Sequence, residues 1–344
     1  MRVPGEPVRG GALAASVGKA LVVCLDGMSG VLLSGPAVRA VAAGADHVTM
    51  LCGPRGAPAA ELLPHVDEVV VWEAPWAGTR PPTVEEADVE GLVRRVREAA
   101  YDVALIVTPF AQSPLPTALL LRMAHVPRIG ADTADHAGSL IDVPHLRLPG
   151  RHDAEAALDT AAALGFLPGT GDDGRLRVLP APDTTGLTGN GPYVVLHPGA
   201  GAAARAWDAE HAAEAVTLLA DAGHRVIVTG GPTESALTRR VGGDTAVDLG
   251  DRTDLRTLAG ILRAADVVVA GDTGPAQLAA ATGTPVVSVG SPSVPAERRS
   301  PYGVPAVLLG GQDDTGADTG RPGPTDALPE DVVRAVRKLL KEST

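Results

Sequence analysis

The segment Gly271–Pro285, GDTGPAQLAAATGTP, has the residue types and spacing of a phosphate-binding turn. Ahead of it runs ADVVVA (Ala265–Ala270) and after it PVVSV (Pro285–Val289). An apolar β-branched run, a tight polar loop, an Ala-rich helix and a second apolar run predict one βαβ unit of a parallel sheet. Gly271-Asp272-Thr273-Gly274 then lies at the carboxyl end of a strand and opens a helix, with Pro275 in the first turn, where its missing N–H costs nothing. Free backbone N–H groups and the positive end of the helix dipole suit a phosphate there. The two glycines let the backbone approach a ligand closely. The same residues equally serve as a plain βα turn with Asp272 or Thr273 as helix cap.

Two further strand-end loops share this character. The run Tyr193–Leu196 ends in His197-Pro198-Gly199-Ala200-Gly201, and Arg225–Thr229 ends in Gly230-Gly231-Pro232, followed by Glu234. A carboxylate at a strand's carboxyl end can accept two sugar hydroxyls, or it can simply complement the start of a helix. Lys19, Lys338 and Lys341 are the only lysines. An anion site must therefore rely on arginine or on backbone N–H groups.

The elements that position these loops come in two sets. In the first, strands at 20–25, 47–52, 68–72 and 102–108 alternate with helices at 31–43, 88–100, 115–124 and 152–164. In the second, strands at 193–196, 225–229, 246–249 and 266–270 alternate with helices at 208–222, 233–241 and 254–264. Alternation of this kind means doubly wound α/β domains. Pro168–Pro192, rich in glycine, proline and aspartate, reads as the linker between them. The expected domains are thus 1–167 and 193–344, with parallel sheets facing a central cleft, where such sheets bind ligands. The amphipathic tail 329–340 has its acids first and its lysines last, and is expected to fold back on the N-terminal domain.

Composition narrows the function. The 344 residues are 45% hydrophobic but only 2% aromatic, so Ala, Val and Leu fill the cores and aromatic platforms for nucleic acid are missing. A net charge of −12 and a pI near 5.2 disfavour a polyanionic partner. Cys24 and Cys52 lie in apolar strand-like runs, as reduced core thiols of a cytoplasmic protein would. No apolar run is long enough to span a membrane, and the N-terminal arm lacks a signal-peptide core.

HPGAGAAARAW (His197–Trp207), TGGPTES (Thr229–Ser235), VDLGDRTDLRTLAGIL (Val247–Leu262) and GDTGPAQLAAATGTPVVSVGSP (Gly271–Pro292) resemble the donor half of the heptosyltransferases, glycosyltransferase family 9. LDGMSGVLLSGPAVRAVAAGADHVTMLCGPRGAPAAELLPHVDEVVVW resembles that family's opening. The resemblance covers roughly residues 20–310. It implies a GT-B fold, two Rossmann-like domains with the acceptor on the first and a nucleotide-sugar on the second. It also implies metal-independent, inverting transfer with no cofactor, and the chain contains no Asp-x-Asp pair.

Carried over by residue, the resemblance places Asp272, Thr273 and Gly274 on the donor diphosphate, with Gly199, Ala200 and Gly201 against it. Arg205 stands at a phosphate-pairing lysine and Glu234 at a ribose-binding acid, while Thr253 and Leu255 border the nucleoside. Two positions depart from the family. The opening motif normally ends in Gly-Asp, whose carboxylate is the acceptor base; here Ser29-Gly30 stands there. Gln277 replaces a histidine beside the donor and can hydrogen-bond but not titrate. Asp26, Asp132, Asp135 and His136 are the remaining candidates for the base, and His152 also matches a family position. The expectation is a cytoplasmic glycosyltransferase moving a sugar, a heptose among the options, from an NDP-sugar, an ADP-sugar in the first place, to a hydroxyl of a glycan or small molecule. The alternatives are a catalytically silent nucleotide-sugar-binding homologue acting through a partner, and a sugar-nucleotide epimerase. Neither nucleic acid nor integral membrane association is expected.

Overall fold

The computed structural model describes residues 17–78, 80–108, 112–200, 207–271, 273–289, 296–310 and 327–342. The chain divides into two compact units, Met1–Gly174 and Arg175–Thr344. The first contains strands β1 (Val17–Cys24), β2 (Ala45–Cys52), β3 (Glu68–Val71), β4 (Val103–Ile106), β5 (Ile129–Asp132) and β6 (Val143–His145). The second contains β7 (Val194–His197), β8 (Val226–Val228), β9 (Val247–Asp248), β10 (Val267–Ala270), β11 (Val286–Val289) and β12 (Ala306–Leu309).

Each unit holds one six-stranded sheet, ordered β3-β2-β1-β4-β5-β6 in the first and β12-β11-β10-β7-β8-β9 in the second. Every pairing is parallel. Counted within its own unit, each sheet has the order 3-2-1-4-5-6, so strand order reverses between β1 and β4 and again between β7 and β10. The α/β reading and the paired Rossmann-like architecture are therefore what the chain forms.

In β1 alternate side chains serve opposite faces. Leu21 and Val23 join a cluster with Leu92, Val93 and Val96 of helix Glu86–Ala99 and with Ala118 and Leu121 of helix Leu115–Met123. Helices Gly35–Ala42 and Asp153–Leu164 pack on each other and against β2, β4 and β5. Cys24 and Cys52 are both buried, opposite one another in the β1–β2 register and not joined as a disulfide. Burial, with Glu61 adding to it, pushes the Cys52 thiol up to about 11, so it is unreactive at neutral pH.

Three expectations are corrected. The helix anticipated over 31–43 is two, Met28–Leu33 and Gly35–Ala42. Pro36 has no N–H for the carbonyl of Leu32, and the Ser34 hydroxyl instead donates to the Val31 carbonyl at 2.7 Å. The Gly/Pro-rich stretch is not all linker. Asp172 accepts two hydrogen bonds from the buried Arg39, at 2.6 and 2.8 Å, which ties the stretch to the first unit as far as that residue. The tail helix Pro329–Glu342 packs on the second unit, where Val332, Val333, Val336 and Leu339 complete the core of β7, β8, β10 and β11. No described helix is long and apolar enough to cross a membrane.

Candidate functional site

In the second unit the three singled-out loops follow β10, β7 and β8, which are adjacent and parallel. Registers Ala270↔His197 and Leu196↔Val228 bring the strand ends level, so the loops emerge side by side at one edge of the sheet. This is the edge where strand order reverses, which opens space for a ligand over the carboxyl ends.

The β10 loop enters helix Gly274–Thr282 through Thr273, whose extended backbone caps without a side-chain hydrogen bond. The Thr273 hydroxyl turns to the Gly271 carbonyl at 3.3 Å, so among the described residues no side chain caps the first-turn N–H groups of the helix. A Cβ on Gly271 would sit 3.3 Å from the Val289 carbonyl oxygen, so the bare backbone fits close against β11. Asp272 lies outside the described residues, as do Gly201 and Arg205.

The β7 and β8 loops meet at Glu234. A 3-10 turn, Pro232–Glu234, returns the carboxylate onto the Gly231 N–H at 2.8 Å. Its Oε2 is 3.7 Å from Nε2 of His197, and Nδ1 of that ring is 3.0 Å from the Thr229 hydroxyl. Gly199 is glycine for a steric reason, since a Cβ there would lie 2.0 Å from Glu234 Oε1. Glu234 and Gly199 are thus brought together. His197 is 7% exposed, and its burial depresses the imidazole pKa against the opposing pull of Glu234. The ring therefore stays neutral and lies against Glu234.

Thr253 and Leu255 follow the β9 strand end in the chain. The loop after β9 is fastened to the β8 loop by Leu249 N–H to the Val228 carbonyl (2.8 Å) and Asp251 N–H to the Gly230 carbonyl (3.1 Å). Leu255 then opens helix Leu255–Arg263, capped by the Asp254 carboxylate on Thr257 N–H. Gln277 behaves differently from expectation. It is fully buried, and its amide nitrogen donates to the Arg299 and Ser300 carbonyls at 2.8 and 3.3 Å. Oε1 is buried without a partner among the described residues. The side chain fixes the segment at 299–300 rather than standing open to a ligand.

In the first unit the four candidate bases separate. Asp132 is held by Arg147 at 2.8 Å, and Arg147 also binds Asp153 at 2.5 Å, so Asp132 is the anion of a structural ion pair. Asp135 accepts from the Ser113 hydroxyl at 3.0 Å on an exposed loop, and His136 is exposed beside it. His152 caps helix Asp153–Leu164 by accepting from Ala154 N–H, a structural task. Asp26 alone of the four lines a cavity of about 220 Å³, together with Leu25, Arg55, Glu73 and Arg80. Sequence reasoning passed over Arg55, Glu73 and Arg80. Their signal was position, since Arg55 and Glu73 lie within three residues of the carboxyl ends of β2 and β3, and Arg80 lies in the loop that follows β3, on the same edge as Asp26.

A family model described as glycosyltransferase family 9 (heptosyltransferase) matches residues 89–325. A search of curated proteins returned no match. Among solved structures, a glycosyl transferase family 9 protein from Veillonella parvula aligns with TM-score 0.76 and 19% identity over 96% of this chain and 99% of that one. E. coli ADP-heptose LPS heptosyltransferase II aligns with TM-score 0.71 and 20% identity over 94% and 99%. E. coli heptosyltransferase WaaC with ADP aligns with TM-score 0.68 and 20% identity over 94% and 98%. The family model spans well over half of the chain, and these similarities carry the same fold: the protein belongs to glycosyltransferase family 9.

Proposed function

We propose that this protein transfers a sugar, with a heptose the first candidate, from an ADP-linked donor to a hydroxyl of a glycan or small-molecule acceptor, with inversion and without a metal. The observation that carries this reading is the side-by-side convergence of three strand-end loops in the second unit, with Glu234 clamped over Gly199. The helix N-terminus at Thr273-Gly274, with Asp272 before it in the motif, and the guanidinium of Arg205 take the diphosphate. The backbone of Gly199, Ala200 and Gly201 lies along the phosphates. Glu234 accepts the ribose hydroxyls, and Thr253 and Leu255 border the base. Gln277 supports this wall from behind through the segment at 299–300. The WaaC structure with ADP is what makes adenine the preferred base here.

Each charge-assisted hydrogen bond to such a ligand is worth roughly 1.5–3 kcal/mol, about tenfold or more in affinity. Calorimetric titration with ADP, UDP and GDP tests the reading. ADP is expected to bind tightest, and Arg205→Ala and Glu234→Ala are each expected to weaken it about tenfold or more. Absence of saturable binding for all three nucleotides would overturn it. Gly30, where the resemblance implies a carboxylate, favours a second reading as a silent nucleotide-sugar-binding homologue. Binding of an ADP-sugar without release of ADP, in the presence of an acceptor, would select that reading.

A further inference from the structure

Asn190 is the only asparagine in the chain, and Gly191 follows it. The pair lies in the second unit, between the short helix Thr185–Thr188 and β7. Both residues are exposed. Among the described residues, neither the Asn190 carboxamide nor the Gly191 N–H makes a hydrogen bond. Gly191 has a φ of +100°, and a Cβ there would meet nothing within 4 Å, so its nitrogen is open to approach. A carboxamide one residue before an unhindered N–H is placed for attack within the chain. The peptide group between the two residues carries a cation. Its carbonyl oxygen, that of Asn190, accepts from Nη1 of Arg225 at 2.8 Å. Nη2 of the same guanidinium bonds the Thr188 carbonyl and lies 3.5 Å from the Gly189 carbonyl. The guanidinium is held in place by the Tyr193 ring, 5.4 Å away at its centroid. The Arg225 backbone is fixed too, its carbonyl accepting from the Val194 N–H at 2.9 Å. When a peptide group loses its N–H proton, the negative charge falls largely on its oxygen. A guanidinium seated on that oxygen stabilises the anion, and the nitrogen it activates here is that of Gly191.

We propose that Asn190 is a self-modifying site, converting through a cyclic imide to aspartate and isoaspartate, with Arg225 as the activating cation. Hydroxide takes the Gly191 N–H proton and becomes water, while the charge rests on the Asn190 carbonyl oxygen against Arg225. The Gly191 nitrogen forms a bond to Cγ of Asn190. The bond from Cγ to Nδ2 breaks, and Nδ2 takes a proton from water and leaves as ammonia, which returns the hydroxide. Water then opens the imide at either of its carbonyls. One opening gives aspartate; the other gives isoaspartate, with the main chain running through Cγ. In balance, one water enters and one ammonia leaves, and nothing is oxidised or reduced. The product carries one more negative charge beside Arg225, and the isoaspartyl form lengthens the main chain by a methylene just before β7. None of this depends on whether the second unit binds a nucleotide.

Peptide mapping by mass spectrometry, with ion exchange of the intact protein, tests this at mildly alkaline pH in native buffer and in urea. In the native parent, Asn190 is expected to be lost in a first-order process that quickens with hydroxide. Aspartyl and isoaspartyl forms should appear, with a more acidic species that Asn190→Gln does not produce. The decisive comparison is with Arg225→Ala, checked as folded by circular dichroism. A guanidinium that merely tethers the loop would slow the reaction, so its removal would speed conversion. An activating guanidinium makes the opposite prediction: Arg225→Ala converts about tenfold or more slowly than the parent, for the loss of one charge-assisted bond to the anion. Arg225→Lys, which keeps the charge but not the fork, is expected to fall between them. If the alanine variant does not fold, the lysine variant decides: slower conversion supports the proposal, and parent-like or faster conversion overturns it. An Asn190 that stays intact in the native parent while the same chain converts in urea overturns the site. Conversion in folded Arg225→Ala as fast as in the parent, or faster, overturns the part given to Arg225.

Discussion

At the scale of single residues, the second unit's site turns on one carboxylate held from three sides. Glu234 is fixed by the Gly231 N–H, approached by His197 and given room by Gly199. Gly199→Ala leaves no place for Glu234 where it stands, because the new methyl would lie 2.0 Å from Oε1. ADP affinity in that variant should fall about as far as in Glu234→Ala, by roughly tenfold or more. Calorimetry showing parent-like affinity would disprove the clamp. His197 adds a pH signature. Its folded pKa is depressed from the usual 6.5 by burial, so the unfolded chain binds the extra proton first as pH falls. The stability tied to the neutral ring is complete above that ordinary value and is lost below it, toward the lowered folded value. Urea unfolding of the parent between pH 7.5 and 5 should therefore lose stability more steeply than His197→Gln, by at most about 1.4 kcal/mol per pH unit. Equal slopes would contradict a buried neutral ring. Glu234 and Gly199 were legible in sequence because strand-end glycines and acids announce themselves. Asp132 was misleading for a different reason. Its ion pair with Arg147 joins residues on neighbouring strand ends, and no local pattern reports such a partner.

At the scale of elements, the apolar β-branched runs made the central strands plain, since a strand buried on both faces needs no alternation. The edge strands β6 and β12 were not legible. β6 is three residues long with Pro144 at its middle, and proline is tolerated only at an edge. β12 is a four-residue run, AVLL, that alternates between exposed and half-buried residues, too short to stand out from the loops around it. The tail helix shows the limit of amphipathicity as a guide. The pattern of Val332, Val333, Val336 and Leu339 gave its buried face, but the identity of the covering core is set by tertiary contacts. Leu339 is 1% exposed in the core of the second unit. Leu339→Ala should cost about 2–5 kcal/mol by leaving a cavity there. A denaturation midpoint unchanged from the parent would place the helix elsewhere.

At the scale of the whole molecule, the same strand order appears twice, each time around its own core. The repeated α/β alternation foretold that duplication, and the glycine- and proline-rich stretch marked where one set of elements ends. The division at Gly174/Arg175 was beyond sequence reasoning, because the Arg39–Asp172 pair that holds the stretch to the first unit spans a long separation in the chain. The central claim is that nucleotide chemistry belongs to the loops of the second sheet. Hydrogen exchange of the intact protein, with and without saturating ADP, tests it most directly. Slowed exchange is predicted around Gly199-Ala200, Gly231–Glu234 and Thr273-Gly274, with the first unit unaffected. Protection confined to residues 17–174, or none at saturation, would contradict the account.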